Sequence, residues 1–72
     1  MQKQDRVDYE KLEALRKANH LNIKDMATYL GYRTPTGYWQ LEKGMRQITA
    51  TQIFLIAKKF NCTIEELFTE SE

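Results

Sequence analysis

Between positions 34 and 44 the sequence reads Thr-Pro-Thr-Gly-Tyr-Trp-Gln-Leu-Glu-Lys-Gly, and four of its side chains carry groups suited to recognising another molecule. Thr36 offers a hydroxyl, Trp39 an indole, Gln40 an amide and Lys43 an ammonium. Hydroxyl and amide groups match the hydrogen-bonding edges of bases, an amide gripping adenine with both its ends, and an ammonium matches phosphate. For such groups to act together, a helix must hold them. Thr34 is a candidate cap that accepts from the first turn, Pro35 suits the first helical position because it has no N–H to satisfy, and Gly44 can take the left-handed conformation that ends a helix. The helix predicted is Pro35–Lys43. Tyr38 and Leu41, three apart, share its inward face and leave Thr36, Trp39, Gln40 and Lys43 on the rest of the cylinder. Gly37 near its start costs about 1 kcal/mol against Ala, which implies that something approaches the backbone closely there.

Other chemistries lack their parts. The single histidine, His20, and the single cysteine, Cys62, cannot build a zinc site, an internal disulfide or a histidine-centred triad. Cys62 lies among apolar neighbours as a structural thiol, and His20 reads as a surface or turn residue. No glycine-rich phosphate loop follows a strand, so no catalytic residue, metal or cofactor is expected.

Seventy-two residues allow one small domain, and its core is expected over about residues 8–68. A hydrophobic share of 42% argues against disorder, while no apolar run approaches the length of a membrane span. The start Met-Gln-Lys-Gln-Asp-Arg lacks the apolar stretch of a secretory signal, and together with the lone cysteine this leads to a cytoplasmic expectation. Residues 11–59 hold nine Lys and Arg against three acids, a net +6, whereas residues 1–10 carry −1 and residues 60–72 carry −4. A basic centre between acidic ends suits a polyanion on one side of the molecule, although a total of +1 is also compatible with an ordinary solvated surface.

The remaining elements are short helices. The first runs from Val7 or Asp8 to Ala18 with Tyr9, Leu12, Leu15 and Arg16 on one face. Asn22 and Asp25 form a capping-box pair before a second helix, Ile23–Leu30, which turns Met26, Ala27 and Leu30 inward and ends at Gly31. A link this short to the next helix forces a steep packing angle, which the small Ala27 permits. The connector Met45–Ile48 carries no structure signal. Thr49 with Gln52 caps a fourth helix, Ala50–Phe60, whose stripe is Ala50, Ile53, Ala57 and Phe60 with Phe54 and Ile56 beside it. Leu55 points away from that stripe, and Asn61 is a left-handed terminator. Thr63 with Glu66 opens a fifth helix, Ile64–Phe68, and the acidic tail 69–72 should fray. No strand pattern appears.

This all-α arrangement of five short helices, with the second and third as a tight pair, resembles the Cro/repressor-type (XRE-like) helix-turn-helix family, whose fold is that of lambda repressor-like DNA-binding domains. The resemblance spans about Leu12 to Phe68. It rests on Leu15-Arg16, Leu21-Asn22-Ile23-Lys24-Asp25-Met26-Ala27 with Leu30-Gly31, Leu41-Glu42-Lys43-Gly44, Ile56-Ala57-Lys58-Lys59-Phe60 and Thr63-Ile64-Glu65-Glu66-Leu67-Phe68.

The resemblance implies that Arg16 and Glu42 form a partly buried, structural ion pair. It also marks two departures. Ile23 stands where many members carry a phosphate-touching Gln, so Lys24 is the substitute. The turn is one residue longer, since Gly31 and Glu42 are eleven apart where ten is usual, which makes Arg33 the extra-loop residue placed to reach DNA.

The function expected is sequence-specific binding of double-stranded DNA by a small repressor of phage or mobile-element type. Thr36 and Gln40 read bases while Lys24, Arg33, Lys43 and Arg46 hold phosphates, and Trp39 either packs on a sugar or thymine methyl or covers the turn. One reading helix spans half a site, so a homodimer on an inverted-repeat operator is expected, weak or monomeric when free, with Ile64 and Phe68 or an exposed Leu55 as its seam. No small-molecule ligand or membrane partner is implied. The alternative is a protein-interaction module on the same fold, such as an antitoxin-like or adaptor domain, because a Trp-bearing helix can dock in a protein groove.

Overall fold

A computed structural model of the chain describes residues 4–71; the predicted fraying of Glu72 and the first three residues of the N-terminal segment lie outside the described residues. In order it has a strand β1 (Gln4–Val7), helices α1 (Tyr9–Ala18), α2 (Ile23–Tyr29), α3 (Pro35–Glu42) and α4 (Ala50–Phe60), a 3-10 turn (Glu65–Leu67) and a strand β2 (Phe68–Ser71). The molecule is therefore mostly helical, with four helices and a two-stranded sheet in place of five helices.

Local chemistry sets most of the boundaries. Asp8 caps α1 by accepting from Lys11 N at 3.1 Å. Asn22 and Asp25 bond each other's backbone N–H at the start of α2, at 2.7 and 2.9 Å, and Thr49 and Gln52 do the same for α4 at 3.1 and 3.0 Å. Asn61 ends α4 in the left-handed region, with φ 56° and ψ 47°. His20 is exposed and also has a positive φ of 59°, in the turn after α1.

At α3 the capping expectation fails: Thr34 is extended, but its side chain makes no cap hydrogen bond. Pro35 removes one of the orphan N–H groups, and Gly37 N donates to the Thr34 carbonyl at 3.3 Å, so the first turn closes on backbone alone.

The core gathers Leu12 from α1, Met26 and Ala27 from α2, Tyr38 and Leu41 from α3, Ile53, Ile56, Ala57 and Phe60 from α4, and Leu67. Leu15, Leu30 and Cys62 pack at its margin, and burial raises the Cys62 thiol pKa. Three α4 residues, Ala50, Phe54 and Leu55, differ from the predicted pattern. Ala50 is exposed at the first turn, and Leu55 is half-buried. Tyr29 explains the latter: its hydroxyl donates to the Leu55 carbonyl at 3.0 Å and its ring lies 4.9 Å beneath Lys59 Nζ, so α2 covers that flank. Phe54 is the outward apolar residue instead, 50% exposed with Lys58 Nζ 5.4 Å from its ring.

The predicted fifth helix is replaced by a single 3-10 turn followed by a strand. The Thr63–Glu66 box does form, with Thr63 N donating to Glu66 Oε2 at 2.8 Å and Glu66 N to Thr63 Oγ1 at 3.3 Å, and these bonds hold the Glu66 carboxyl below its usual pKa. Five residues are too few to sustain a helix alone, and Phe68 is extended instead, with φ −115° and ψ 149°. It lies opposite Val7 in an antiparallel ladder that continues through Arg6–Thr69 and Asp5–Glu70 to Gln4–Ser71, so the predicted fraying of residues 69–71 is also corrected. Asp8 N donates to Leu67 O at 2.8 Å, joining this ribbon to the start of α1.

Candidate nucleic-acid interface

The inner side of α3 is fixed at three points. Tyr38 and Leu41 are fully buried, and Glu42 is 2% exposed. Glu42 meets Arg16 of α1 in a forked pair, Nε to Oε2 at 2.8 Å and Nη2 to Oε1 at 3.2 Å, while Arg16 Nη1 donates to the Leu21 carbonyl at 2.9 Å. The hydrogen-bonded carboxylate raises the Arg16 pKa further. Thus one guanidinium ties together α1, the turn before α2 and the end of α3. The Tyr38 hydroxyl is buried without a hydrogen-bond partner among the described residues. Burial first, and the Glu42 negative charge second, push its pKa far above the ordinary tyrosine value.

With that side anchored, Thr36 and Trp39 are exposed on the outer side of α3, Trp39 at 42%, and Gln40 is half-buried beside them. The close approach implied by Gly37 comes from within the chain. A Cβ at position 37 would lie 2.5 Å from Tyr32 Cδ1 and 2.7 Å from Cγ, so the Tyr32 ring packs against the backbone where any other residue would carry a side chain.

Tyr32 then organises the neighbourhood. Its hydroxyl accepts from Gln52 Nε2 at 2.8 Å, and the Arg46 guanidinium lies 5.4 Å over its ring. Arg46 Nη2 in turn donates to Gln40 Oε1 at 3.1 Å. This placement depends on the bend after α3: Gly44 has φ 77°, and Met45 N donates to the Gln40 carbonyl at 2.8 Å, which folds the connector back over the helix end.

Of the remaining cations, Lys43 reaches back toward α1, 3.6 Å from Glu13, which also holds Lys17 at 2.9 Å. These lysines hold the Glu13 carboxyl below its usual pKa, Lys17 through its hydrogen bond more than Lys43. Arg33 is exposed on the link before α3. Lys24 borders a shallow depression with Asp25, Tyr29 and Lys59 on the α2 and α4 side. The structure therefore brings Gln40 and Arg46 into contact beside Thr36 and Trp39, while Lys43 and Lys24 occupy flanks.

Tyr32 and the side-chain amide of Gln52 were not among the site residues expected from sequence. The signal for Tyr32 in the sequence is Gly37, whose helix cost calls for a close neighbour without naming it. The sequence marks Gln52 only as the capping partner of Thr49; its Oε1 does accept from Thr49 N, and its Nε2 donates to the Tyr32 hydroxyl at the same time.

Among the described residues no group of three or more His, Cys, Asp and Glu could hold a metal ion, and no helix is long and apolar enough to cross a membrane. Compared with curated proteins and with solved structures, the chain matches none. A helix-turn-helix family model matches residues 12–67, most of the chain and all of α2 and α3. That span runs from the first core residue of α1 to the Leu67 that closes the core, and the family is one of DNA-binding regulators. The chain belongs to the helix-turn-helix family, in its Cro/repressor-type branch.

Proposed function

We propose that this protein is a transcriptional regulator that binds double-stranded DNA in a sequence-specific way, α3 entering the major groove. The observation that carries the reading is the contrast between the two sides of α3. Its inner side is locked by Tyr38, Leu41 and the Arg16–Glu42 fork, and its outer side offers Thr36, Trp39 and Gln40 on a rigid mount. In this reading Thr36 and Gln40 contact base edges, and Arg33, Arg46, Lys24 and Lys43 supply phosphate contacts. Lys43 exchanges its solvated contact with Glu13 for phosphate at little cost, because exposed ion pairs are weak. Trp39, 42% exposed, lies against a sugar or a thymine methyl.

The protein acts in the cytoplasm as a small repressor of phage or mobile-element type, and it assembles on DNA as a symmetric homodimer over an inverted repeat. Free chains are monomeric or weakly dimeric, since the last segments expose only two large apolar residues, Phe54 and Ile64, among the described residues, too little for a stable seam. Selection from random duplexes, followed by titration of the recovered site at several salt concentrations, tests the reading. Phosphate contacts make affinity fall steeply with salt.

A second reading, a protein-interaction module, draws on the exposure of both Trp39 on α3 and Met45 just beyond its end. Docking of those residues in a protein groove gives an affinity that changes little with salt, which separates it from the first.

A further inference from the structure

We infer that Gln40 and Arg46 act as one base-reading unit that turns its hydrogen-bond donors toward a ligand, and that it selects guanine where an isolated glutamine would select adenine. The inference rests on the DNA-binding reading above and assigns Arg46 a part in specificity as well as phosphate binding.

The argument begins with what a guanidinium can do. Arginine carries five N–H donors and no acceptor, so the end of the Gln40 amide facing Arg46 must be its carbonyl. Arg46 Nη2 stands 3.1 Å from Gln40 Oε1. The carbonyl keeps a second lone pair, but a two-pronged grip on adenine N6 and N7 needs both ends of one amide aimed at the same base edge, and one end here is aimed at Arg46. What remains for a ligand is the Gln40 NH2 and the other N–H groups of Arg46. In the major groove, guanine offers two acceptors side by side, N7 and O6, whereas adenine pairs its N7 acceptor with a donor.

The pair is built in before any DNA arrives. The Arg46 guanidinium lies 5.4 Å over the Tyr32 ring. That ring is packed on the Gly37 backbone, and its hydroxyl is held by Gln52, whose own amide is fixed as the cap of α4. A continuous line of contacts thus runs from the first turn of α4 through Tyr32 and Arg46 to Gln40. Tyr32 is a positioning residue: it sets where Arg46 sits and through it which way the Gln40 amide faces.

The test compares the duplexes that wild type, Gln40→Ala, Arg46→Ala, Tyr32→Phe and Tyr32→Leu retain from a random pool, with thermal melting to show that each variant is folded. Gln40→Ala marks the base position concerned by relaxing it. Wild type and Tyr32→Phe, which keeps the ring beneath Arg46, are expected to hold guanine there. Arg46→Ala frees the amide, and the preference changes to adenine by a factor on the order of ten. Tyr32→Leu shifts the same way, which a purely structural role would not do. Adenine at that position in wild type, or guanine unchanged in Arg46→Ala, overturns the inference while DNA binding stands. Retention of no duplex by wild type overturns the DNA-binding reading and this inference with it. NMR relaxation of the Gln40 side-chain amide in the free protein gives an independent arm: rigid in wild type and mobile in Arg46→Ala is expected, and an amide mobile in both contradicts the preset geometry.

Discussion

The ring of Tyr32 occupies the space that a Cβ on residue 37 would need, with Cδ1 only 2.5 Å from that position. Two effects therefore oppose each other in Gly37→Ala. Helix propensity favours Ala by about 1 kcal/mol, and overpacking against a ring braced by Gln52 costs about 1–3 kcal/mol. The ring has no free side to swing to without losing Gln52 and Arg46, so the variant is expected to be less stable, by about 1 kcal/mol or more. Urea denaturation checks this, and a raised midpoint would show that Tyr32 moves aside freely.

Glu42→Ala should cost about 3–5 kcal/mol, because it strands the Arg16 guanidinium, 8% exposed, without its carboxylate. In a chain of this size that is a large part of the total stability. Glu42→Gln, which keeps one acceptor for Arg16 and loses the charge, should cost less. Denaturation midpoints for the two variants measure the difference. An unchanged midpoint for Glu42→Ala would mean that the fork does not bear on folding.

How far these features are legible in the sequence depends on how local they are. Capping pairs three residues apart, such as Asn22–Asp25 and Thr49–Gln52, form as the sequence predicts, because both partners belong to one turn. The stop at Asn61 and the inward pair Tyr38 and Leu41 are local in the same way. The β1–β2 ribbon is not: Val7 and Phe68 come from opposite ends of the chain, and four-residue strands are too short to show an alternation. Leu55 and Phe54 exchange roles because Tyr29, 26 positions before Leu55, covers one flank of α4, and no periodicity within α4 reports that. In the candidate site, α3 and its outward residues could be read from the pattern of caps and apolar positions. The Tyr32–Arg46–Gln40 link could not, since it depends on a backbone bend at Gly44 and on a contact from α4.

Tyr38 gives a pH dependence of definite sign. Its pKa in the fold is raised, so the fold binds its proton more tightly than the unfolded chain does. The resulting stability is fully present below the ordinary tyrosine pKa of about 10 and is lost as pH rises above it, at about 1.4 kcal/mol per pH unit. Tyr38→Phe removes the titrating group and also a buried hydroxyl without a partner among the described residues, so it should match or exceed wild type by about 1 kcal/mol at neutral pH. Melting temperatures between pH 8 and pH 11 on the order of the tyrosine titration test both statements; a parallel alkaline loss in Tyr38→Phe assigns the effect elsewhere.

Assembly on DNA is expected to follow the symmetry of the site. Two chains should bind an inverted repeat with half-site centres about 10 base pairs apart, and the binding curve should rise more steeply than a one-site curve. Sedimentation at saturating protein counts the chains per duplex. One chain on a non-repeating site would remove the dimer and leave the DNA reading in place.

The central claim, that the outer side of α3 reads DNA sequence, is tested most directly by repeating the random-duplex selection with wild type and Gln40→Ala at moderate salt. The expected result is one recovered motif for wild type, and the same motif with a single relaxed position for Gln40→Ala, at a cost of about 1–3 kcal/mol on the best site. Recovery of no motif by wild type, or of an identical motif by both proteins, would contradict it.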